Sequence, residues 1–250
     1  GLIPVHYDDS FRFEHGGSAR CFTDSSRVHH CRPRQYSTTH IDQLVAAVIR
    51  REHGYYGATD EYLYRAVEAV EGFEDLDVLV VGSVEPWYEA VCIAYGARSC
   101  TTIDYNPVSY HHPKLLSITV QDLQDLPPDE RPRFGAAISI SSFEHDGLGR
   151  YGDPLEPEGD LRAMHDVQGL LEEGARLFLA VPVGSDLVRW NMHRVYGRQR
   201  LPLLFEGWTL LFAVGFDRRL LDNTDPLFHH QPVFVLENAD SDQILNAEDI

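Results

Sequence analysis

Short apolar runs that alternate with helical segments constrain the fold of this 250-residue chain more than any other feature. Runs of this kind are typical of strands buried on both faces, and the helical segments between them indicate crossovers over the sheet. This alternation predicts an α/β fold, with a mainly parallel sheet and helices on both faces. The predicted strands are 77–82, 100–105, 115–120, 134–142, 175–183, 209–216 and 232–238.

The last two predicted strands have no evident crossover helix between them. We therefore expect them to pair as an antiparallel hairpin at the edge of the sheet. Five β/α units that end in an antiparallel pair resemble the Rossmann-like fold of class I S-adenosylmethionine-dependent methyltransferases. The resemblance implies a mainly parallel sheet of seven strands, whereas the dinucleotide-binding fold has six parallel strands.

Helical periodicity marks the segment before the first strand. Ile41, Leu44 and Val48 recur on one helix face, and Thr39 and Asp42 have the spacing of a capping box. A second helix follows, and the pair could form a lid. We predict an N-terminal arm and helical lid in residues 1–73, a methyltransferase-like core in 74–240 and an acidic tail in 241–250, with further helices at 86–96 and 159–173.

An excess of acidic residues limits the partners of this chain. With 39 acidic against 21 basic residues the formal net charge is −18, which opposes binding to nucleic acid and to anionic membranes. The longest apolar runs are far shorter than a membrane span. Four cysteines in a chain of this length favour a reducing, cytoplasmic location. We therefore expect a small-molecule or glycan partner, and neither nucleic acid nor membrane.

Two cysteines near the N-terminus flank a pair of histidines. Cys21 and Cys31 enclose His29 and His30, but the spacing matches no standard zinc pattern, so we predict no metal site. The chain opens with Gly1 rather than Met. This leaves open that it is part of a longer multidomain protein.

The stretch VLVVGSVEPW, residues 78–87, predicts where a cofactor approaches the sheet. Ligands of open α/β sheets bind beyond the carboxyl ends of the strands, where Gly82 and Ser83 form the first loop. Asp104 ends the second strand and can accept both hydroxyls of a ribose. Asp122 follows the third strand and can accept from an adenine amino group. A tight turn without a ligand is the alternative for a loop with one glycine.

The densest polar stretch, SSFEHDGLGRYGDP, follows the fourth strand. Methyl transfer to a hydroxyl needs a group that takes its proton, and His145 titrates in a suitable range. Asp146 and His193 are reserve candidates, although His145 and Asp146 could simply cap the loop. A divalent ion between Asp146 and Asp153 is left open. The candidates for contact with a hydroxyl-rich acceptor are Arg150, Tyr151, Asp153, Asn191 and Arg194, while Trp190 is expected in the core.

Several segments resemble a widespread family of domains of unknown function that is related to class I methyltransferases. They lie within residues 77–208 and include GSVEPWYEA, TIDYNP, SISSFEHDGLGRYGDPLEPEGDLRAM, LFLAVPVGSD and WNMHRVYG. The chain is also similar to methyltransferase domains of glycan-building proteins. The resemblance implies an S-adenosylmethionine-dependent enzyme, for which we expect O-methylation of a hydroxyl on a sugar or other small polar acceptor.

The resemblance also implies how the cofactor contacts the chain. Gly82 and Ser83 would face its methionine part and Asp104 its ribose. The loop departs from the E/D-x-G-x-G-x-G pattern of the wider superfamily, because VVGSVEP lacks the first acid and the later glycines. The remaining implied contacts are Tyr105 and Asn106 at the ribose and adenine edge, Asp122 at the adenine, and Ser141 and Ser142 at the floor of the cleft.

Two other functions compete with methyl transfer. A nicotinamide-dependent reductase or epimerase would use a Y-x-x-x-K pair, which occurs formally at Tyr110 and Lys114, but Pro113 between them opposes the helix that this chemistry needs. A methyltransferase-like module that binds without turnover is favoured by the sparse glycine loop. The many ionisable groups after the fourth strand argue against such a module.

Overall fold

The computed structural model describes residues 5–7, 34–151, 153–190, 192–225 and 229–238. Most of the predicted N-terminal arm, with Cys21 and Cys31, and the acidic tail lie outside these residues. The helices are α1 Thr38–Ile49, α2 Ala58–Ala69, α3 Trp87–Ala94, α4 Val120–Asp125, α5 Gly159–Gln168 and α6 Arg200–Leu204. The strands are β1 Val5–Tyr7, β2 Arg34–Ser37, β3 Asp77–Val81, β4 Ser99–Asp104, β5 Val108–His111, β6 Leu115–Thr119, β7 Phe134–Ile140, β8 Leu171–Ala180, β9 Leu187–Trp190, β10 His193–Val195, β11 Trp208–Val214 and β12 Val233–Asn238.

Seven strands form the central sheet in the order β11-β12-β8-β7-β3-β4-β6. The pairs from β8 to β6 are parallel, whereas β12 runs antiparallel to both of its neighbours, β8 and β11. The predicted mainly parallel sheet with an antiparallel pair at one edge is therefore confirmed. Strand order reverses between β3 and β7, and this switch point is where open α/β sheets bind ligands.

Two hydrophobic layers cover the faces of this sheet. Alternation along β8 shows the division, because Phe178 packs into the layer with α1, α2 and α3, while Leu177 and Leu179 pack into the layer with α5 and α6. All three side chains are buried. Helices on both faces, as predicted, leave only the sheet ends and loops for polar chemistry.

The two N-terminal helices belong to the hydrophobic layer of the first face. Ile41 of α1 and Leu63 of α2 share a core cluster with Val80 of β3. The predicted cap of α1 is wrong by two residues, because Ser37 caps the helix and accepts from the His40 N–H at 3.2 Å. The loop between these helices reaches the candidate site, while their movement as a lid stays a prediction.

The boundary between α5 and β8 differs from the prediction of a helix through residue 173. The helix ends at Gln168, with Gly169 as its cap, and β8 already begins at Leu171 and ends at Ala180. Leu171 is buried and pairs with Phe134 of β7. Gly174, with φ of +73°, lies inside β8 where the register shifts, so this glycine marks a strand irregularity rather than a helix end.

Two small sheets were not predicted, and both lie beside the ligand-binding edge. β2 pairs parallel with β5, and β9 pairs with β1 and β10. These short strands carry no clear alternation in the sequence. They bring Arg34 and the β9–β10 hairpin to the site described below.

The centre of the first hydrophobic layer allows a test of this packing. Phe178 meets Phe73 edge to face, with ring centroids 5.4 Å apart. We expect Phe178→Ala to lower the free energy of unfolding by about 3–5 kcal/mol, because it leaves a cavity between sheet and helices. Urea unfolding followed by circular dichroism measures this loss.

Leu116 provides the control for this substitution. It lies on edge strand β6 and is 58% exposed, so Leu116→Ala should change stability by less than about 0.5 kcal/mol. Equal losses for the two variants would contradict the described layer.

Candidate active site

A cavity of about 1800 Å³ opens at the carboxyl ends of β3, β4 and β7. These strands are parallel neighbours, so the loops that follow them meet at one edge of the sheet. Most of the predicted site residues come together here. Those that line the cavity are Gly82, Ser83, Asp104, Tyr105, Asn106, Ser141, Ser142, His145, Asp146, Arg150, Tyr151 and His193.

Gly82 forms the turn after β3 with φ of +68°, a left-handed conformation that favours glycine. A Cβ atom here would lie 2.4 Å from Ser142 Oγ. The missing side chain therefore lets the loops after β3 and β7 touch. The Gly82 N–H donates to the Ile103 carbonyl of β4 at 2.9 Å, which fixes the turn on a second strand.

The Asp104 carboxylate at the end of β4 accepts from three directions. Its Oδ1 accepts from the Asn106 N–H at 2.7 Å, and its Oδ2 accepts from Arg34 Nη2 at 2.9 Å and the Ser83 N–H at 3.4 Å. Arg34 also donates to the carbonyls of Ser83 and Val84. Arg34 was not predicted from the sequence, because it lies in an irregular segment with no periodic signal.

Asp122 does not line the cavity, which corrects its expected contact with adenine. The segment after β6 forms α4 rather than a loop, and Thr119 is its N-cap. Thr119 Oγ1 donates to Asp122 Oδ2 at 2.6 Å and accepts from the Asp122 N–H at 3.1 Å. This local pairing holds the carboxylate at an exposed helix start. Gln121 and Leu123 line the cavity instead.

Ser141 lines the floor of the cavity with φ of +55°, which is rare outside glycine. Its Oγ donates to Glu144 Oε1 at 2.5 Å and accepts from Gln231 Nε2 at 3.0 Å. Glu144 is fully buried, and burial raises the pKa of its carboxyl to about 7. The sequence analysis did not single out Glu144, because in sequence a buried carboxyl in a polar loop looks like a solvated one.

His145 presents a nitrogen lone pair on the cavity wall. Its Nδ1 is hydrogen-bonded to the Met192 carbonyl, and since a carbonyl only accepts, Nδ1 carries the proton and Nε2 is an acceptor. Burial lowers the pKa of His145 to about 3, so the ring is neutral at neutral pH. Its Nε2 lies 3.7 Å from Glu144 Oε1.

Two further histidines and a tyrosine lie around His145. The ring centroids of His193 and Tyr151 are 6.3 and 5.3 Å from that of His145, and His229 lies 5.8 Å from His193. Burial lowers the pKa of His193 to about 3 and also lowers the pKa of His229. His229 was not predicted, because it comes from a distant segment before β12.

Asp146 also lines the cavity. Burial raises the pKa of its carboxyl well above the usual range, and the nearby Asp153 and Asp160 carboxylates raise it further. Arg150 lies over the Tyr151 ring at 5.5 Å from its centroid, which places its charge beside the histidines.

Arg194 and Asp153 do not line the cavity, which corrects their expected role in acceptor binding. Arg194 is buried and donates to backbone carbonyls, including that of Asp146 at 2.5 Å. Asp153 accepts from the N–H groups of Gly149 and Tyr151 at 2.9 and 3.1 Å. Both side chains are engaged in holding the loop after β7, and therefore position its other residues.

The segment around β9 also differs from expectation. Trp190 is 39% exposed rather than in the core, because β9 belongs to a small sheet outside the central one. Asn191 lies outside the described residues.

The Y-x-x-x-K pair that a nicotinamide-dependent enzyme would use does not come together in the structure. Tyr110 lies in β5 and donates to the buried Glu89 at 2.7 Å, while Lys114 Nζ donates to the Ala97 carbonyl at 2.8 Å. Neither residue lines the cavity. Tyr110 and Lys114 therefore do not form the catalytic pair of that class.

In the part of the chain that the structure describes, no group of three or more His, Cys, Asp or Glu side chains is arranged to hold a metal ion. Among the described helices, none has the length and apolar character needed to cross a bilayer.

A family model described as a Caenorhabditis protein of unknown function, DUF268, matches residues 75–222, which is more than half of the chain. The chain belongs to the DUF268 family. The match begins just before β3 and ends after β11, so it includes the predicted cofactor loop, His145 and His193, whereas His229 lies beyond it. No curated protein matches this DUF268 chain.

Solved structures show what the DUF268 fold resembles. TehB from Haemophilus influenzae matches with a TM-score of 0.50 at 9% identity, over 78% of this chain and 67% of TehB. An S-adenosylmethionine-dependent methyltransferase from Clostridium acetobutylicum gives 0.48 and 11%, over 80% and 98% of the two chains. The N-methyltransferase NodS from Bradyrhizobium japonicum gives 0.45 and 12%, over 73% and 95%. The predicted Rossmann-like fold, with a mainly parallel seven-stranded sheet and an antiparallel pair at its edge, is confirmed.

The buried histidines predict how the stability of this DUF268 protein depends on pH. The folded-state pKa of His193 is lowered, so below pH 6.5 the unfolded chain takes up a proton that the folded chain rejects. Its contribution to stability is present above that pH and is lost as the pH falls. From pH 7 to pH 5 the free energy of unfolding should fall in both proteins. We expect this fall to be about 2 kcal/mol smaller in His193→Gln than in the wild type.

Urea unfolding at both pH values measures this difference. Glu144 acts in the opposite direction, because its raised pKa favours the folded state as the pH falls through about 7, and this is why the variant is compared with the wild type. His165 is an exposed control on α5. An equal pH effect in His193→Gln and His165→Gln would show that His193 is not buried as described.

Proposed function

We propose that this DUF268 protein is an S-adenosylmethionine-dependent methyltransferase that O-methylates a hydroxyl of a sugar or another small polar acceptor. The observation that supports it best is one cavity at the strand ends with Gly82, Asp104 and His145 on its wall. A turn for the cofactor, an acceptor for ribose hydroxyls and a neutral proton acceptor thus share one space.

The residues around Asp104 fit such a cofactor. Carboxylate oxygens suit ribose hydroxyls, and the cavity continues past Ile103, Tyr105 and Leu123, whose apolar surface suits an adenine ring. Gly82 adds no Cβ to the space beside Ser142. A cofactor without a pyrophosphate has less need of three glycines, since there is no diphosphate for the backbone to approach. S-adenosylmethionine, when bound, supplies a methyl group on a positively charged sulfonium.

His145 is the group best suited to take the acceptor proton. Nδ1 donates to the Met192 carbonyl, so Nε2 is oriented as an acceptor without any rearrangement. His193 and Asp146 are the reserve candidates, and both line the same cavity. With a pKa of about 3, however, His145 is a weak base by itself.

The other walls of the cavity carry groups that bind hydroxyls. Arg150 and Tyr151 lie on the loop after β7 and offer donors beside His145. In this proposal Arg194 and Asp153 position the loop and do not contact the acceptor, since each is hydrogen-bonded to the backbone of that loop. Binding without turnover is the competing function, and the sparse glycine loop favours it.

Cofactor binding is the first test. Titration calorimetry should show binding of S-adenosylmethionine and not of NADH. Asp104→Asn should weaken the affinity about 10–100-fold, because a charged hydrogen bond to the ribose contributes about 1.5–3 kcal/mol. Arg34→Gln leaves the carboxylate in place and should lose less.

Asp222→Asn is the matched control for Asp104→Asn. Asp222 pairs with Arg198 on an exposed surface and does not line the cavity, so its substitution should leave cofactor affinity unchanged. Absence of S-adenosylmethionine binding in the folded wild type would refute the proposed function.

Proton transfer is the second test. Transfer of labelled methyl groups to a panel of monosaccharides, uronic acids and sugar phosphates should fall about 10²–10⁴-fold in His145→Gln. The affinity for S-adenosylmethionine should stay at the wild-type value, because His145 acts on the acceptor. Full activity in folded His145→Gln would remove His145 as the base, whereas cofactor binding with no transfer in the wild type would favour the non-catalytic module.

A further inference from the structure

We propose that the acceptor carries an anionic group, a carboxylate or a phosphate, and that Arg189 on the cavity wall binds it. This inference rests on the proposed methyl transfer and specifies its acceptor. It assigns Arg189, which the sequence analysis did not single out, as the residue that determines acceptor specificity.

Arg189 is a cation on the cavity wall, lies in β9 and is half-buried. In the described part of the chain, its side-chain polar contact is Nη1 to Met192 Sδ at 3.7 Å, and no carboxylate lies within ion-pair distance. The cavity arginines Arg34 and Arg162 pair with carboxylates, and Arg131 and Arg133 donate to backbone carbonyls. In a chain with 39 acidic and 21 basic residues, an arginine left without an acid on a cavity wall needs an explanation.

Among the described residues, the ladder partners of Arg189 are histidines, His6 of β1 and His193 of β10. Arg189 and His193 are directly paired, so their side chains share a face. The ring centroids of His229 and His145 lie 5.8 and 6.3 Å from that of His193. Burial lowers the pKa of His229 most, and the positive charge of Arg189 lowers it next. The charge of Arg189 therefore acts on the histidines of the cavity wall.

An anion is the ligand that completes this arrangement. Carboxylates and phosphates match the planar donor fork of a guanidinium, and neutral imidazoles can donate or accept toward the same ligand. Its negative charge would also raise the pKa of the three histidines, because an opposite charge stabilises the imidazolium. The acceptor itself would thus strengthen His145 as a base, whose pKa is otherwise too low for efficient proton transfer.

Matched ligands test the proposal without any need for turnover. The wild type is titrated by calorimetry with glucuronate, glucose 6-phosphate, inorganic phosphate and neutral glucose, with and without S-adenosylhomocysteine. We expect at least one anionic sugar to bind at least about 10-fold more tightly than glucose. Preference for glucuronate would identify a carboxylate acceptor, and preference for glucose 6-phosphate a phosphorylated one.

Substitution of Arg189 decides whether this residue is responsible. Arg189→Gln should weaken binding of the preferred anion about 10–100-fold, and Arg189→Lys should retain part of the affinity. Arg198→Gln removes the same charge from an exposed pair outside the cavity and should bind like the wild type. If Arg189→Gln does not fold, two measurements still test the proposal. They are the preference of the wild type for anions over glucose and the anion affinity of Arg189→Lys.

The outcomes separate this inference from the proposed function. Equal binding of glucose and the anions, or unchanged anion binding in folded Arg189→Gln, overturns the role of Arg189 even if methyl transfer is found. Anion binding that depends on Arg189 supports the site, and if no acceptor is then methylated, it is the proposed methyl transfer that fails.

Discussion

The buried guanidinium of Arg194 is the interaction on which the candidate site depends. Its side chain comes from β10 and reaches the loop after β7 and the segment before α5. It donates to the carbonyls of Glu144, Asp146, Glu156 and Pro157. The carbonyls of Glu144 and Asp146 belong to buried residues, and each would lose this donor without Arg194, at a cost of about 1–3 kcal/mol. Arg194 thus joins the β9–β10 hairpin, which carries Met192, to the loop after β7, which carries His145. This keeps the hydrogen bond from His145 Nδ1 to the Met192 carbonyl, which leaves Nε2 as an acceptor.

Asp160 balances this charge in the interior. It lies 3.6 Å from Arg194 Nε and is fully buried, and it also accepts from Arg200 and from the Tyr196 hydroxyl at 2.9 Å. A buried cation is tolerated only where a nearby anion and hydrogen bonds replace its hydration. The β9–β10 hairpin thus carries two different arginines: the charge of Arg194 is balanced inside the protein by Asp160, whereas Arg189 lines the cavity with no carboxylate of the described residues within ion-pair distance.

The sequence predicted those parts of the site that follow from the position of strand ends. Gly82, Asp104 and His145 each follow or end a predicted parallel strand, so the rule for open sheets brings them together without knowledge of any contact. The assignments of Asp122, Asp153 and Arg194 were wrong because local hydrogen bonds, to Thr119 or to the backbone, decide where such side chains point. Arg34, Glu144 and His229 were missed for a different reason. Their positions depend on small sheets, on burial and on segments far apart in sequence, and neither periodicity nor composition reports these.

The net charge of −18 and the character of the cavity wall have opposite signs, and this difference bears on recognition. An acidic protein repels anions at long range, but screening limits that repulsion to about 8–10 Å at physiological salt. Within the cavity, three histidines and Arg189 form one part of the wall, whereas the Asp104 carboxylate lies among hydrogen-bond donors near the glycine turn. If hydroxyls bind at Asp104 and an anion at Arg189, as proposed, the two ends of the cavity prefer different chemistry. On the proposed function, this polarity would direct the cofactor and the acceptor each to its own end, with His145 between them, so that the charge of the acceptor both selects it and activates the base.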